Sequence, residues 1–232
     1  GLAALYTSIG RLDDAIKEYE QILQLPHAPD PIALELARLK IIRKRRYRGD
    51  PTPWSEIEKL IVHAEKRGQP PIDAVLVRAE FLQARRRDGE AKRLLAQHVP
   101  ESKDPRAWVQ YARVAEQVDG TGPDILDQAR RTIGDRPEFR IQLASILIAR
   151  SPLAARGLLD DLARVPPQWT PEQRQSLLQG LAELLSQETK MRVYVANDPV
   201  TCVVRGAGMV MEHLDKYHGV ILAAQQRRTT RA

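Results

Sequence analysis

The 232-residue chain is 43% hydrophobic and 28% charged, enough apolar material for a packed core, which excludes a disordered chain. Aromatics make up only 5% while Leu, Ala, Arg, Glu and Gln abound, a helix-forming composition that argues against an all-β fold. The net charge of +6, with most of the 36 cations being Arg, permits an acidic partner or nucleic acid but says nothing of fold.

No apolar run approaches the roughly 18–20 residues that would span a bilayer. The opening Gly1-Leu2-Ala3-Ala4-Leu5 lacks the Met and the basic region of a signal peptide, so it reads as the start of a fragment of a longer chain. The lone Cys202 excludes an intramolecular disulfide and a multi-cysteine zinc site. Together these point to a soluble, cytoplasmic chain.

Residues 1–26 contain Leu2-Ala3, Tyr6, Gly10, Asp13-Asp14-Ala15-Ile16, Tyr19, Ile22 and Leu25-Pro26. Ala15, Tyr19 and Ile22 share one helix face. Gly10 falls between two helical stretches, where a tight turn favours a residue without a Cβ. Ala3 and Ala15 are 12 residues apart, so small side chains recur where two antiparallel helices would cross closely. This stretch resembles the tetratricopeptide repeat, entered partway along its first helix.

Later copies keep the phase. An Ala after a longer side chain recurs at Ala37, Ala79, Ala112 and Ala144, and Gly180 takes the same place in Leu178-Gln179-Gly180-Leu181. The steps from Ala3 are 34, 42, 33, 32 and 36 residues, against about 34 for the repeat family. The long step contains Arg48-Gly49-Asp50-Pro51-Thr52-Pro53, a loop insertion by its turn chemistry. Ala79 is followed 12 residues later by Ala91, and Ala144 by Ala155 after 11. Pro-containing breakers separate segments of helical length. Asp30-Pro31, Asp104-Pro105, Ser151-Pro152 and Thr170-Pro171 have the form of an N-cap followed by Pro at the first helical position. The expected fold is an all-α superhelix, a solenoid of antiparallel helix pairs, with about five and a half hairpins over residues 1–186.

From about Glu188 the texture changes. Met191-Arg192-Val193-Tyr194-Val195-Ala196 alternates like a short strand that has no sheet to join. Asp198-Pro199 reads as a cap, and Val200 to about Leu214 as a helix carrying Gly206 and Gly208. The run from Val193 to Gly208, with Glu212-His213-Leu214-Asp215-Lys216-Tyr217, resembles the C-terminus of the bacterial actin-like rod-shape family, MreB. The resemblance covers residues 187–232 and implies that Asp198, Gly206, Ala207 and Gly208 belong to a hinge-side helix. The place of that family's Gly-rich nucleotide loop is taken by Thr170-Pro171-Glu172-Gln173-Arg174-Gln175-Ser176, which has no glycine. Nucleotide binding therefore does not carry over. Leu177 to Leu181 fits either family, which puts the junction between about 177 and 190.

No catalytic or metal motif stands out, and no cofactor is expected. The five His residues are scattered; only His213, near Glu212 and Asp215, has further ligand types at helical spacing, and a solvated helix end accounts for it better than a metal. Cys202, in an apolar helical stretch, reads as a buried, inert thiol. Asp160-Asp161 faces two ways from a helix and cannot act as a dyad. The clusters Arg43-Lys44-Arg45-Arg46 and Arg85-Arg86-Arg87 fall at the ends of first helices, where cations complement the helix dipole. Few aromatics are interleaved with them, which weakens a nucleic-acid reading.

In the tetratricopeptide family the first helix of each repeat lines a concave, peptide-binding groove. The resemblance then implies that Arg38, Arg45, Glu80, Arg87, Arg106 and Arg113 face the groove. The Asn and Lys that clamp a C-terminal carboxylate in chaperone-binding members are absent; the first repeat offers Ala4 and Ser8. A mainly cationic groove with Glu80 as its exception implies an acidic protein or peptide partner. The expected function is a non-enzymatic scaffold for protein–protein interaction. The alternatives are a cytoskeletal, cell-shape protein that meets an actin-like filament if the fusion is genuine, and an RNA-binding helical repeat.

Overall fold

A computed structural model describes residues 2–25, 29–47, 49–65, 71–150 and 166–195. Among these residues there are ten helices and no strand: α1 (Leu2–Ser8), α2 (Leu12–Leu23), α3 (Asp30–Arg46), α4 (Trp54–Glu65), α5 (Ile72–Ala84), α6 (Asp88–His98), α7 (Pro105–Asp119), α8 (Gly122–Ile133), α9 (Pro137–Arg150) and α10 (Pro171–Thr189). The chain forms two compact units, Gly1–Gly180 and Leu181–Ala232. In the first, each helix from α1 to α9 packs on the next, and α3, α5, α7 and α9 also pack along one another in a row. Helix pairs stacked in this way make an all-α solenoid, as the sequence led us to expect.

The phase residues explain the stacking. Ala3, Ala37, Ala79, Ala112 and Ala144 lie on α1, α3, α5, α7 and α9, and none is more than 4% exposed. Ala15 and Ala91, near the starts of α2 and α6, are fully buried where the hairpin partner crosses. On α8 the residue 12 after Ala112 is Asp124, and the close approach is made by Gly122 instead. A Cβ on Gly122 would lie 2.9 Å from the Ala112 carbonyl oxygen and 2.9 Å from Glu116 Cβ. On α10 a Cβ at Gly180 would come within 2.3 Å of Ile141 Cδ1. Gly10, with φ +75°, makes the α1–α2 turn in the left-handed region that glycine adopts without strain.

Longer apolar side chains fill the space these small residues leave. Ile16, Tyr19, Leu36 and Leu39 pack between the first hairpin and α3. On a second side of α3, Leu34, Ala37 and Ile41 meet Ile57 and Ile61 of α4 and Phe81 of α5. A third cluster from α5 to α9 centres on Trp108 and Phe139; Trp108 is fully buried and its indole N–H donates to the Ser102 carbonyl at 3.0 Å. α3 is apolar on two sides because it serves two neighbours, the local stacking expected of a repeat array.

Polar side chains add a second set of ties one repeat apart. Gln110 Nε2 donates to the Leu76 carbonyl at 2.9 Å and Gln83 Nε2 to Gln117 Oε1 at 3.0 Å, each across 34 residues. The Arg150 guanidinium donates to both Glu116 carboxylate oxygens, at 2.7 and 2.6 Å, again across 34. Lys40, 3% exposed on α3, donates at 2.5 Å to Glu20 of α2 and at 2.5 Å to Glu56 of α4. Burial alone would lower its pKa, but the two carboxylates outweigh burial and hold it above the usual lysine value. Lys40 is therefore charged at neutral pH, and its contribution to this tie is lost as pH rises through its raised pKa.

The inserted loop after α3 is pinned by the basic cluster. Arg43 Nε lies 2.6 Å from Asp50 Oδ2, and Arg43 Nη2 donates to Thr52 Oγ1 at 2.6 Å. Lys44 donates to the Asp50 carbonyl at 2.9 Å and sits 5.0 Å over the Trp54 ring. The Asp50 carboxylate is only 4% exposed. Burial pushes its pKa up, but bonds from Thr52 and the charge of Arg43 more than reverse that and hold it below the usual carboxylate value.

Helix starts match the expected caps in part. Asp104 accepts from the Arg106 backbone N–H at 2.8 Å. Thr170 and Gln173 exchange bonds as a capping box, 3.3 and 3.0 Å. Asp30, expected as a cap, is instead the first residue of α3, with Pro29 in the cap position and no side-chain bond. Ser151 and Ala155 lie outside the described residues. The strand-like run at Val193–Ala196, expected to be irregular for want of a sheet, is neither helix nor strand over residues 192–195, and the Val193 N–H donates to Ser186 Oγ at 3.0 Å. An extended segment needs a neighbouring strand to take up its backbone groups, and the described residues contain none. Ala196, Asp198, Cys202, Gly206, Ala207, Gly208 and the helix expected from Val200 lie outside the described residues.

Three substitutions test these contacts. Gly122→Ala should destabilise the chain by roughly 1–3 kcal/mol, because the backbone of α7 blocks the new methyl. Gly89→Ala, with nothing within 4 Å of its Cβ, should be neutral or stabilising by up to about 1 kcal/mol; urea midpoints of the two variants check both signs. The lowered pKa of Asp50 adds stability that is complete above the unfolded-state value near 3.8 and is lost as pH falls through its folded value. Asp50→Asn should therefore cost about 1–3 kcal/mol at pH 7, and its stability should fall less than the parent's on titration below pH 4, as followed by thermal melts.

Candidate partner-binding cleft

The row of first helices walls a cleft of about 870 Å³. The end of α3 contributes Lys44 and Arg45, the start of α4 Trp54, and α5 Glu80, Gln83 and Ala84. Arg86 and Asp88 come from the α5–α6 connection and the start of α6. Arg106, Val109, Gln110, Arg113 and Gln117 come from α7, and Glu138 from α9. Trp54 is held edge-on to Phe81, with ring centroids 5.7 Å apart and planes at 77°, so it is a fixed part of the wall. The Gln83–Gln117 bond likewise fixes two of the polar groups.

Four of the six residues expected to face a groove line this cleft: Arg45, Glu80, Arg106 and Arg113. Arg38 sits beside it, pairing with Glu80 at 3.4 Å and Glu35 at 3.0 Å, and lines an adjoining cleft with Pro31, Leu34 and Asp73. Arg87 turns away and lines a separate cleft with Glu58, Arg78 and Glu90. Carrying the helical phase to Arg87 assumes that α5 continues to that point, but α5 ends at Ala84 and Arg86 adopts φ +62°. That left-handed residue reverses the chain and puts Arg86 into the cleft in place of Arg87. The Arg87 guanidinium is held by Glu90, with Nε at 2.6 Å.

The charge of the cleft is mixed rather than mainly cationic. Five cations face three carboxylates, and several are already engaged. Arg106 is paired with Asp104 at 2.6 Å and Asp73 at 3.1 Å, and the Asp104 contact raises its pKa further. Lys44 is committed to the Asp50 loop. Among the described residues Arg45 reaches a backbone oxygen, that of Glu80, at 3.3 Å, and no carboxylate. Arg86 and Arg113 are exposed and their side chains have no partner among the described residues. The carboxylates Asp88 and Glu138 are also without an ion pair among the described residues.

Trp54, Arg86 and the three glutamines did not emerge from the sequence as site residues. The glutamines left a signal: Gln83 and Gln117 are one repeat step apart, as are Leu76 and Gln110. Arg86 left none, because its place depends on where α5 stops. Among the described residues no group of three or more His, Cys, Asp or Glu could hold a metal ion, and no helix is long and apolar enough to cross a membrane.

Comparison with known proteins identifies one segment. Residues 174–219 match the MreB/Mbl protein family, a match that begins inside α10, ahead of the boundary expected at 187. The cell shape-determining protein MreB of Escherichia coli K12 is 42% identical over 50 residues, which is 22% of this chain and 14% of that protein. MreB of Salmonella typhimurium LT2 gives the same values. MreB of Pasteurella multocida Pm70 is 42% identical over 48 residues, 21% of this chain and 14% of that protein. The chain thus spans about one seventh of the length of the curated relatives it matches. No solved structure matches it significantly.

Proposed function

We propose that this chain is a non-enzymatic scaffold of the tetratricopeptide kind, which holds a protein or peptide partner along the cleft walled by α3, α5, α7 and α9. The observation that carries this reading is the cleft itself: about 870 Å³, fixed by packed helices, with side chains suited to binding already in place. A pre-formed groove avoids the ordering cost that weakens association. Its Gln, Arg and Trp groups offer donors and an aromatic wall, the usual means of peptide capture. Selection of peptides from a random display library on the full chain tests this. Selected peptides should lose about tenfold or more in affinity on the double variant Arg45→Glu/Arg113→Glu, with circular dichroism unchanged. Equal binding to a folded double variant overturns the assignment.

A second reading rests on a different observation, the family match at residues 174–219. On it the chain is a cell-shape-associated protein whose C-terminal segment engages actin-like filaments. The full chain should then pellet with polymerised MreB and stay in the supernatant without it. Recovery in the supernatant at saturating filament removes this reading and leaves the scaffold untouched.

A further inference from the structure

Three arginines of the cleft come from three successive parts of the helix row: Arg45 at the end of α3, Arg86 just after α5, and Arg113 on α7. Each is exposed, and none is paired with a carboxylate among the described residues. Glu80, the acidic residue between them, is already taken by Arg38 at 3.4 Å. The structure therefore leaves three guanidinium groups, spread across the row, with their charge unanswered.

Resting on the scaffold reading, we propose that the cleft receives an extended acidic segment whose carboxylates recur about every third residue, one for each of these arginines. Packed helix axes lie about 8–10 Å apart, and an extended chain rises about 3.3 Å per residue. A segment that crosses the row thus advances about three residues per helix, and carboxylates at that interval meet Arg45, Arg86 and Arg113 in turn. A helical ligand rises only about 1.5 Å per residue and would need a carboxylate every six or so. Guanidinium groups favour carboxylates through paired, charge-assisted hydrogen bonds. Glu138, on α9 beyond Arg113, ends the cationic stretch, so a fourth carboxylate gains nothing. Asp88 lies two residues from Arg86 and repels acidic side chains set at closer intervals.

Fluorescence anisotropy with the full chain tests the spacing. The probes are two labelled ten-residue peptides of identical composition, one with Glu at positions 2, 5 and 8 and one with Glu at 4, 5 and 6, together with a labelled oligouridylate. The spaced peptide should bind about tenfold more tightly than the clustered one. Arg45→Glu, Arg86→Glu and Arg113→Glu should each weaken it about five- to tenfold. Arg93→Glu, a reversal in the separate cleft that Arg87 lines, should leave it unchanged. Equal affinity for the two peptides, equal sensitivity to Arg93→Glu, or tighter binding of the oligouridylate overturns the proposal. Library peptides that depend on the cleft but ignore the spacing overturn this inference and leave the scaffold reading standing. Absence of any cleft-dependent peptide removes both.

Discussion

The close approach of successive helices at one small residue is the constraint from which the rest of the array follows. Ala3, Ala37, Ala79, Ala112 and Ala144 are buried at the crossings, and Gly180 continues the series where a Cβ would collide with Ile141. When backbones meet this closely, the offset between neighbouring helices can hardly slip. Side chains one repeat apart in sequence are then brought side by side in space. The bonds Gln110–Leu76, Gln83–Gln117 and Arg150–Glu116 each span 34 residues, within two of the local repeat steps of 33 and 32. The cleft is a further product: its walls are the outward sides of the helices whose inward sides carry the small residues.

Charge does two separable jobs here. Much of the arginine and lysine is structural. Lys40 is sequestered between Glu20 and Glu56, Arg43 holds the Asp50 loop, and Arg78 makes paired bonds of 2.5 Å to Glu65 across α5 and α4. These pairs are only partly buried, so removing one partner costs about 1–3 kcal/mol, and the pair itself adds little over an apolar replacement. These ties therefore fix which helix meets which more than they add net stability. Of the three cleft arginines that no carboxylate pairs among the described residues, Arg45 and Arg86 lie where a helix ends or turns. A basic composition thus says little about the basicity of a site; what matters is which charges the fold has not already consumed.

This division explains what could be read from the sequence. The order and approximate register of the hairpins were legible, because burial at a close crossing restricts residue size and leaves a mark at each period. Arg45, Glu80, Arg106 and Arg113 were found by extending that period along helices that do continue. Arg87 was not, because α5 stops at Ala84 and a left-handed Arg86 hands the position to its neighbour; no periodic rule encodes a stop. Lys40 was also missed. In sequence it is one more lysine in a basic helix, and its burial depends on carboxylates 20 and 16 residues away on two other helices. The irregular stretch at residues 192–195 could be read in advance: alternation states a local preference for strand, and only a neighbouring strand, which the sequence does not offer, can satisfy it.

α10 is where the two kinds of sequence meet. Its start is fixed by the Thr170–Gln173 capping box, four residues before Arg174, where the MreB/Mbl match begins. Gly180 lies inside the matched segment and yet fills the last small-residue position of the array, against Ile141 of α9. One residue thus answers to two patterns. The physical demand that joins them is modest: a helix that presents a glycine to a neighbour can dock where an alanine-bearing helix would otherwise stack, whatever protein it resembles. A helix needs only that one feature at the right distance from its cap to meet α9 at Ile141.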